Sequence, residues 1–161
     1  MRALAVPEHR INLPRWSFLQ WAVFVVGAVH IGWAVVGWLA EPSFAVGHHA
    51  PATQVMGMDY NAWHGLAGLL LFGPALLAAT RKYWSAWYCV IAALGGGFCI
   101  GIWALFSHTV LIFSFPNHVT DAIMHLVTGA ILLALVVVQV AWDGGLKPVF
   151  LPGDPARAAT A

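Results

Sequence analysis

The sequence predicts an all-α transmembrane four-helix bundle with both termini in the cytoplasm. Of the 161 residues, 61% are hydrophobic and 8% are charged, and the mean hydropathy is +0.80. A soluble domain carries about 25% charged residues, so this chain lacks the charge that a water-facing surface requires. Four apolar segments are long enough to cross a bilayer, and the cations avoid two of the connecting loops. The lipid bilayer is therefore the expected solvent of the chain.

The transmembrane domain occupies most of the chain. Residues 1–15 form a basic cytoplasmic segment, residues 16–142 contain the helices, and residues 143–161 form an irregular cytoplasmic tail. At 1.5 Å per residue, about 20 residues cross the roughly 30 Å hydrocarbon core. The predicted spans are residues 16–40, 60–80, 84–106 and 120–142. Residues 107–115 stay apolar after the third span, and they fit either further helix or a segment lying in the membrane interface.

The positions of the cations predict the orientation. All seven Lys and Arg residues lie in the N-terminal segment, in the loop between the second and third spans, or in the tail. Because Lys and Arg are retained on the cytoplasmic side, both termini should be cytoplasmic. The net charge of only +1 argues against a nucleic-acid partner, because phosphate binding requires clustered cations.

Small residues and two glutamines predict how the spans pack. Gly97 and Gly101 are four residues apart on one helix, a spacing that lets a second backbone approach closely. Gly68 and Gly129 lie one turn deeper than the histidines that open their spans, and each should face a neighbouring helix. Two polar side chains near the cytoplasmic ends of the first and fourth spans should hydrogen-bond to each other; they belong to Gln20 and Gln139.

Two related motifs supply the candidate site. The second span opens with Asn61, His64 and Gly68 in the pattern Asn-x-x-His-x-x-x-Gly. The fourth opens with Asp121, His125 and Gly129, in the pattern Asp-x-x-x-His-x-x-x-Gly. Both histidines should lie roughly 6 Å below the outer boundary of the membrane, on helices that run parallel. If the third span continues to about residue 113, His108 joins the same layer.

Three interpretations of this histidine layer stay open. Histidines inside a membrane are costly, so they point to a function such as ligating haem iron or a transition metal through His64, His108 and His125. In that case Asp121 could accept the ring proton of His125, and Asn61 that of His64. Alternatively, the imidazoles form structural hydrogen bonds between helices, and Asn61 and Asp121 are helix N-caps. The third interpretation is a quinone or proton-handling site.

The motifs resemble those of a bacterial membrane family described only as domain of unknown function 4383. Its members resemble four-span proteins in which the second and fourth spans open with these two patterns, the latter after a turn like Pro116-Asn117. The glycine-rich first span is similar as well, and the resemblance covers roughly residues 17–140. It implies an integral protein of the bacterial plasma membrane and no mechanism. His30, the two cysteines and the long first loop depart from the pattern.

For the function, we expect a small integral membrane protein that is not an enzyme. It would serve as an accessory or structural subunit of a larger membrane complex, or associate with itself. The sequence contains no nucleophile–base pair, carboxylate dyad or phosphate-binding loop. The alternative is a redox protein that uses the histidine layer to bind haem, a metal ion or a quinone; no cofactor follows from the sequence alone.

Overall fold

The computed structural model describes residues 16–47, 49–107, 109–116 and 119–152, which form a helical bundle with two small β-hairpins. The third helix of the bundle is composite: α3 continues through a π-helical segment into α4. The helices are α1 (Phe18–Ala40), α2 (Ala62–Ala78), α3 (Lys82–Ala92), the π segment (Ala93–Cys99), α4 (Ile100–Ala104), α5 (Val119–Trp142) and α6 (Lys147–Phe150). The hairpins pair β1 (Thr53–Val55) with β2 (Met58–Tyr60) and β3 (Thr109–Val110) with β4 (Phe113–Ser114).

Among the described residues, three helices are long and apolar enough to cross a membrane, and a fourth apolar helix is shorter. The three are α1, the composite helix Lys82–Ala104 and α5, with 23, 23 and 24 residues. Helix α2 has 17 residues, which is roughly 26 Å at helical rise and shorter than the predicted span of residues 60–80. It begins late because residues 58–60 pair in the first hairpin, so the helix starts only after its N-cap, Asn61.

The outward faces of the helices are apolar, as a bilayer requires. Large aliphatic side chains are exposed along each long helix, including Val29, Leu39, Leu70, Ile91 and Val137. Contiguous exposed apolar surface of this kind is rare on water-soluble proteins. The helices therefore fit an integral membrane protein.

The bundle consists of two helix pairs that meet at one end, which we call the turn end because it contains the turn between α2 and α3. Helix α1 packs along α2, and α5 packs along the composite helix. The core lies near the turn end and includes Leu19, Val23, Cys89, Leu132 and Val136. Toward the opposite end, which we call the hairpin end, the π segment and α4 contact α5 but make few contacts with α1 or α2. The two pairs therefore separate there.

Two buried glutamines join the helices at the turn end, but they do not bond each other as predicted. The backbone N–H of Leu19, in the first turn of α1, donates to the Gln139 side-chain oxygen at 3.0 Å. The Gln20 side chain donates to the carbonyl of Ala79, after the last turn of α2, at 2.9 Å. The expected Gln–Gln bond is wrong because helix ends have unsatisfied backbone groups, and in an apolar setting each amide satisfies one of them.

A glycine contact joins α5 to the π segment. A Cβ on Gly97 would lie 2.5 Å from the Cα of Gly129, and a Cβ on Gly129 would lie 3.0 Å from the Cα of Gly97. Both glycines therefore lie directly against a neighbouring helix. The π-helical geometry of residues 93–99 was not predicted; three successive glycines have low helix propensity, and they permit the wider turn.

Two further segments differ from the expectations. The alternative of further helix for residues 107–115 is wrong, because this stretch contains the β3–β4 hairpin; a segment lying in the membrane interface stays a prediction. The tail was predicted to be irregular throughout, yet residues 147–150 form one helical turn, and Val149 is fully buried in the core. That turn forms because its apolar side chain finds space beside α3. Residues 1–15 and 153–161, predicted as cytoplasmic, lie outside the described residues.

Replacing Gly97 by Val should destabilise the protein, because the new side chain would meet backbone that cannot rotate away. Overpacking of this kind costs about 1–3 kcal/mol or more. Thermal unfolding of the purified protein in detergent measures the effect. Gly95→Val is the matched control, since nothing lies within 4 Å of a Cβ at that position in the same glycine run. An equal loss of stability in both variants would contradict a tight contact at Gly97.

Candidate functional site

A cavity of about 440 Å³ lies between the two helix pairs, where they separate toward the hairpin end. Its wall is mostly apolar and includes side chains from α1, α2, the π segment, α4 and α5. The ionisable side chains on the wall are His30, Tyr60, His64, Asp121, His125 and Cys99. The structure therefore brings together three of the predicted site residues, His64, Asp121 and His125, around one space.

His64 is held by the start of its own helix. Asn61 caps α2, with its side-chain oxygen accepting from the backbone N–H of His64 at 3.0 Å. The ring nitrogen Nδ1 of His64 lies 3.1 Å from the carbonyl oxygen of Asp59, and the Pro116 carbonyl also lies near the ring. The ring stacks on Tyr60, with centroids 4.4 Å apart. Asn61 is therefore an N-cap, and the backbone of β2, not Asn61, accepts the ring proton.

His125 reaches across to the other member of its helix pair. Its Nδ1 lies 2.8 Å from the carbonyl oxygen of Gly96 in the π segment. This bond follows from the glycine contact, because the backbones are close enough for a side chain of α5 to meet a carbonyl of the neighbouring helix. The prediction that Asp121 accepts this ring proton is wrong, since a backbone carbonyl occupies that role.

Asp121 lies one turn before His125 and is only 1% exposed. Its charge is within electrostatic reach of His125 and of Tyr60. Tyr60 lies in β2, outside the helices, with its ring packed over Gly37, where a Cβ would overlap it. Burial and the charge of Asp121 raise the pKa of Tyr60 to about 12, so its hydroxyl keeps its proton at neutral pH.

His30 belongs to this site, although the sequence analysis left it out of the candidate residues. It lies on α1, its Nδ1 is 2.8 Å from the carbonyl oxygen of Val26, and its ring stacks on Phe72 at 4.0 Å. Trp33, three residues later, also lines the cavity. The signal was present in the sequence, since an imidazole in the middle of a span needs a partner or a cavity. Its neighbours in space come from α2, which no spacing on α1 indicates.

Asn61 also connects the second hairpin to α2. It is fully buried, and its amide nitrogen donates to the carbonyl oxygen of Ser114 at 2.9 Å. The polar residue that opens the second span therefore holds both the first turn of the helix and the β3–β4 hairpin beside the cavity. Sequence reasoning identified the cap but not this second bond, which joins residues 53 positions apart.

The predicted packing glycines have close neighbours in the structure, whereas the proposed metal ligands do not form a described metal site. A Cβ on Gly68 would lie 2.9 Å from that of Ala34, and a Cβ on Gly101 would lie 2.9 Å from Leu126, so both glycines have close neighbours on another helix. His108 lies outside the described residues. Within the described part of the chain, no group of three or more His, Cys, Asp or Glu side chains is placed to hold a metal ion.

Comparison with known proteins gives a family and no activity. The model of the family described as "Domain of unknown function (DUF4383)" matches residues 20–138, a range that contains the described residues lining the cavity. No curated protein and no solved structure matches this chain.

Replacing Asn61 by Ala should destabilise the protein more than loss of a cap alone. Loss of an N-cap costs about 1 kcal/mol, and the variant would also leave the Ser114 carbonyl without its buried donor. Ser17→Ala is the control, because Ser17 caps α1 within a local capping box. Thermal unfolding of both variants in detergent compares them. If Asn61→Ala costs no more than Ser17→Ala, the bond to the hairpin contributes nothing.

Proposed function

The chain belongs to the DUF4383 family, and from the geometry of its cavity we propose that it is an integral membrane protein that binds a lipid-soluble small molecule. One observation carries this proposal: an apolar cavity of about 440 Å³ whose polar groups, including three imidazoles, are few and specific. Small-molecule sites in proteins typically have about 300–1,000 Å³, mostly apolar walls and a small number of convergent polar groups.

The position of the cavity supports a ligand that arrives from the lipid. Cys99 and Ile100 line the cavity and are also exposed on the surface of the bundle. Both lie within the composite helix Lys82–Ala104, which is long and apolar enough to cross a membrane. The cavity thus reaches a surface that would face acyl chains, and a molecule dissolved in the bilayer could enter without crossing water.

The wall favours an organic ligand with a polar head over a bare ion. A metal ion needs several ligand atoms converging on one point, whereas here the polar groups are spread over α1, α2 and α5 among aromatic and aliphatic side chains. A molecule with a small polar head and an apolar body, such as a member of the quinone and quinol class, suits this arrangement. The interpretation of the protein as an accessory subunit stays a prediction, and a ligand site is compatible with it.

The orientation with cytoplasmic termini is part of the proposal. Among the described residues, Arg81, Lys82 and Lys147 lie at the turn end, and Lys82 is paired there with Asp143 at 2.9 Å. The positive-inside rule places this end in the cytoplasm and the cavity in the outer half of the bilayer.

Single engineered cysteines should report this orientation. In a variant lacking Cys89 and Cys99, Ser43→Cys should react with a membrane-impermeant maleimide added to intact cells. Thr80→Cys should react only after the membrane is permeabilised, because it lies at the turn end. Labelling of Thr80→Cys in intact cells would reverse the proposed orientation.

Filling the cavity should remove the ligand. Ala67 lines the cavity, so Ala67→Trp should occupy the space while keeping the surface apolar. Ala130→Trp is the matched control, because Ala130 is exposed on α5 and is not part of the wall. The wild type and both variants are extracted under mild conditions. Native mass spectrometry then detects the bound molecule in each protein, and organic extraction releases it for identification.

The wild type and Ala130→Trp should carry the same small molecule, and Ala67→Trp should carry none. Bound ligand should also slow the reaction of Cys99 with N-ethylmaleimide, whereas Cys89 is buried and should not react in the folded protein. A folded Ala67→Trp variant that retains the molecule would place the binding site elsewhere.

A further inference from the structure

Two imidazoles on the wall of the cavity have fixed hydrogen-bonding roles. Nδ1 of His30 lies 2.8 Å from the carbonyl oxygen of Val26, and Nδ1 of His125 lies 2.8 Å from that of Gly96. A carbonyl oxygen can only accept, so Nδ1 must carry the hydrogen in both rings. In a neutral imidazole the other nitrogen, Nε2, is then an acceptor.

Both of these acceptors are available to a ligand. Among the described residues, Nε2 of His30 and of His125 has no hydrogen-bond partner, and both rings line the cavity. His30 is on α1 and His125 on α5, so the two acceptors belong to the two separate helix pairs. His64 differs, because its ring has the carbonyls of Asp59 and Pro116 as neighbours.

One unpartnered donor lies on the same helix as one of these acceptors. The indole Nε1 of Trp33 is buried and has no hydrogen-bond partner within the described part of the chain. Trp33 is three residues after His30, on the same face of α1, and it lines the same cavity. Among the described residues, the wall contains no Lys or Arg side chain, and its hydroxyl groups, on Tyr60 and Thr128, can either donate or accept.

We propose that the ligand carries a hydroxyl group on its head, as a phenol or a quinol does, and that the cavity binds this form in preference to a ketone or an ether of the same shape. This inference rests on the proposed function and specifies its ligand. A hydroxyl donates its hydrogen to Nε2 of an imidazole. A ketone or an ether has only acceptors and leaves the Nε2 lone pairs desolvated and unpaired.

This inference is tested with a phenol and its methyl ether, in which a methyl group replaces the hydroxyl hydrogen. Binding of 4-hexylphenol and of its methyl ether to the full-length protein in nanodiscs is measured by equilibrium dialysis, with empty nanodiscs correcting for partition into lipid. Sites that hydrogen-bond a ligand hydroxyl discriminate strongly against analogues that lack it, so the phenol should bind at least about tenfold more tightly.

Histidine variants identify the source of the preference. His30→Phe and His125→Phe keep an aromatic ring and remove Nε2, and each should lower the ratio of the two dissociation constants, with the double variant near one. His49→Phe is the control, because His49 is exposed in the first loop and does not line the cavity. The His125→Phe variant also loses the bond to Gly96 and could fail to fold for that reason. In that case the test rests on the ratio of the two dissociation constants in the wild type and in His30→Phe.

The outcomes separate this inference from the proposed function. Equal binding of the two probes to the wild type, with both lost in Ala67→Trp, would retain the ligand-binding cavity and overturn the hydroxyl preference. Tighter binding of the ether would also overturn it, because the imidazoles would then act as donors. If neither probe binds the wild type more tightly than it binds Ala67→Trp, the proposed function fails as well.

Discussion

The backbone contact between Gly97 and Gly129 determines how one half of this protein is built. With no Cβ on either residue, α5 lies against the π segment closely enough for His125 to bond the carbonyl of Gly96. That bond orients the imidazole ring of His125 and uses its Nδ1 as the hydrogen-bond donor. The same contact holds the π segment against α5, and residues of both line the cavity, so a packing contact in one helix pair also shapes the cavity wall.

The two ends of the bundle satisfy their polar groups in different ways. At the turn end, Gln20 and Gln139 bond backbone groups at the ends of neighbouring helices, and the four long elements meet around a core of small and aliphatic residues. At the hairpin end, Asn61 holds a helix start and a hairpin at once. In a bilayer no water reaches such groups, so each polar bond also fixes the position of an element. The turn end, where the helices meet, therefore stabilises the hairpin end, where the two helix pairs separate.

Within the described residues, the wall of the cavity contains polar side-chain atoms that have no hydrogen-bond partner. Every imidazole on its wall has one nitrogen close to a backbone carbonyl, which is a common way for proteins to orient a histidine toward a ligand. The alternative interpretation, structural hydrogen bonds between helices, accounts for His125 and Gly96. It does not account for the second nitrogen of His30 or for the indole of Trp33, whose polar atoms find no partner in the described residues.

The membrane class, the family and the long spans could be predicted from the residues alone, because apolar length acts locally along a helix. The predicted packing role of Gly68, Gly97, Gly101 and Gly129 fits their close neighbours, and His64, Asp121 and His125 were already candidates. The fold was needed to show that His30 lines the same cavity, that the ring protons go to backbone carbonyls, and that the glutamines bond helix ends. Those outcomes depend on which carbonyl or open space lies opposite a side chain, and that is set by the crossing of helices distant in the chain.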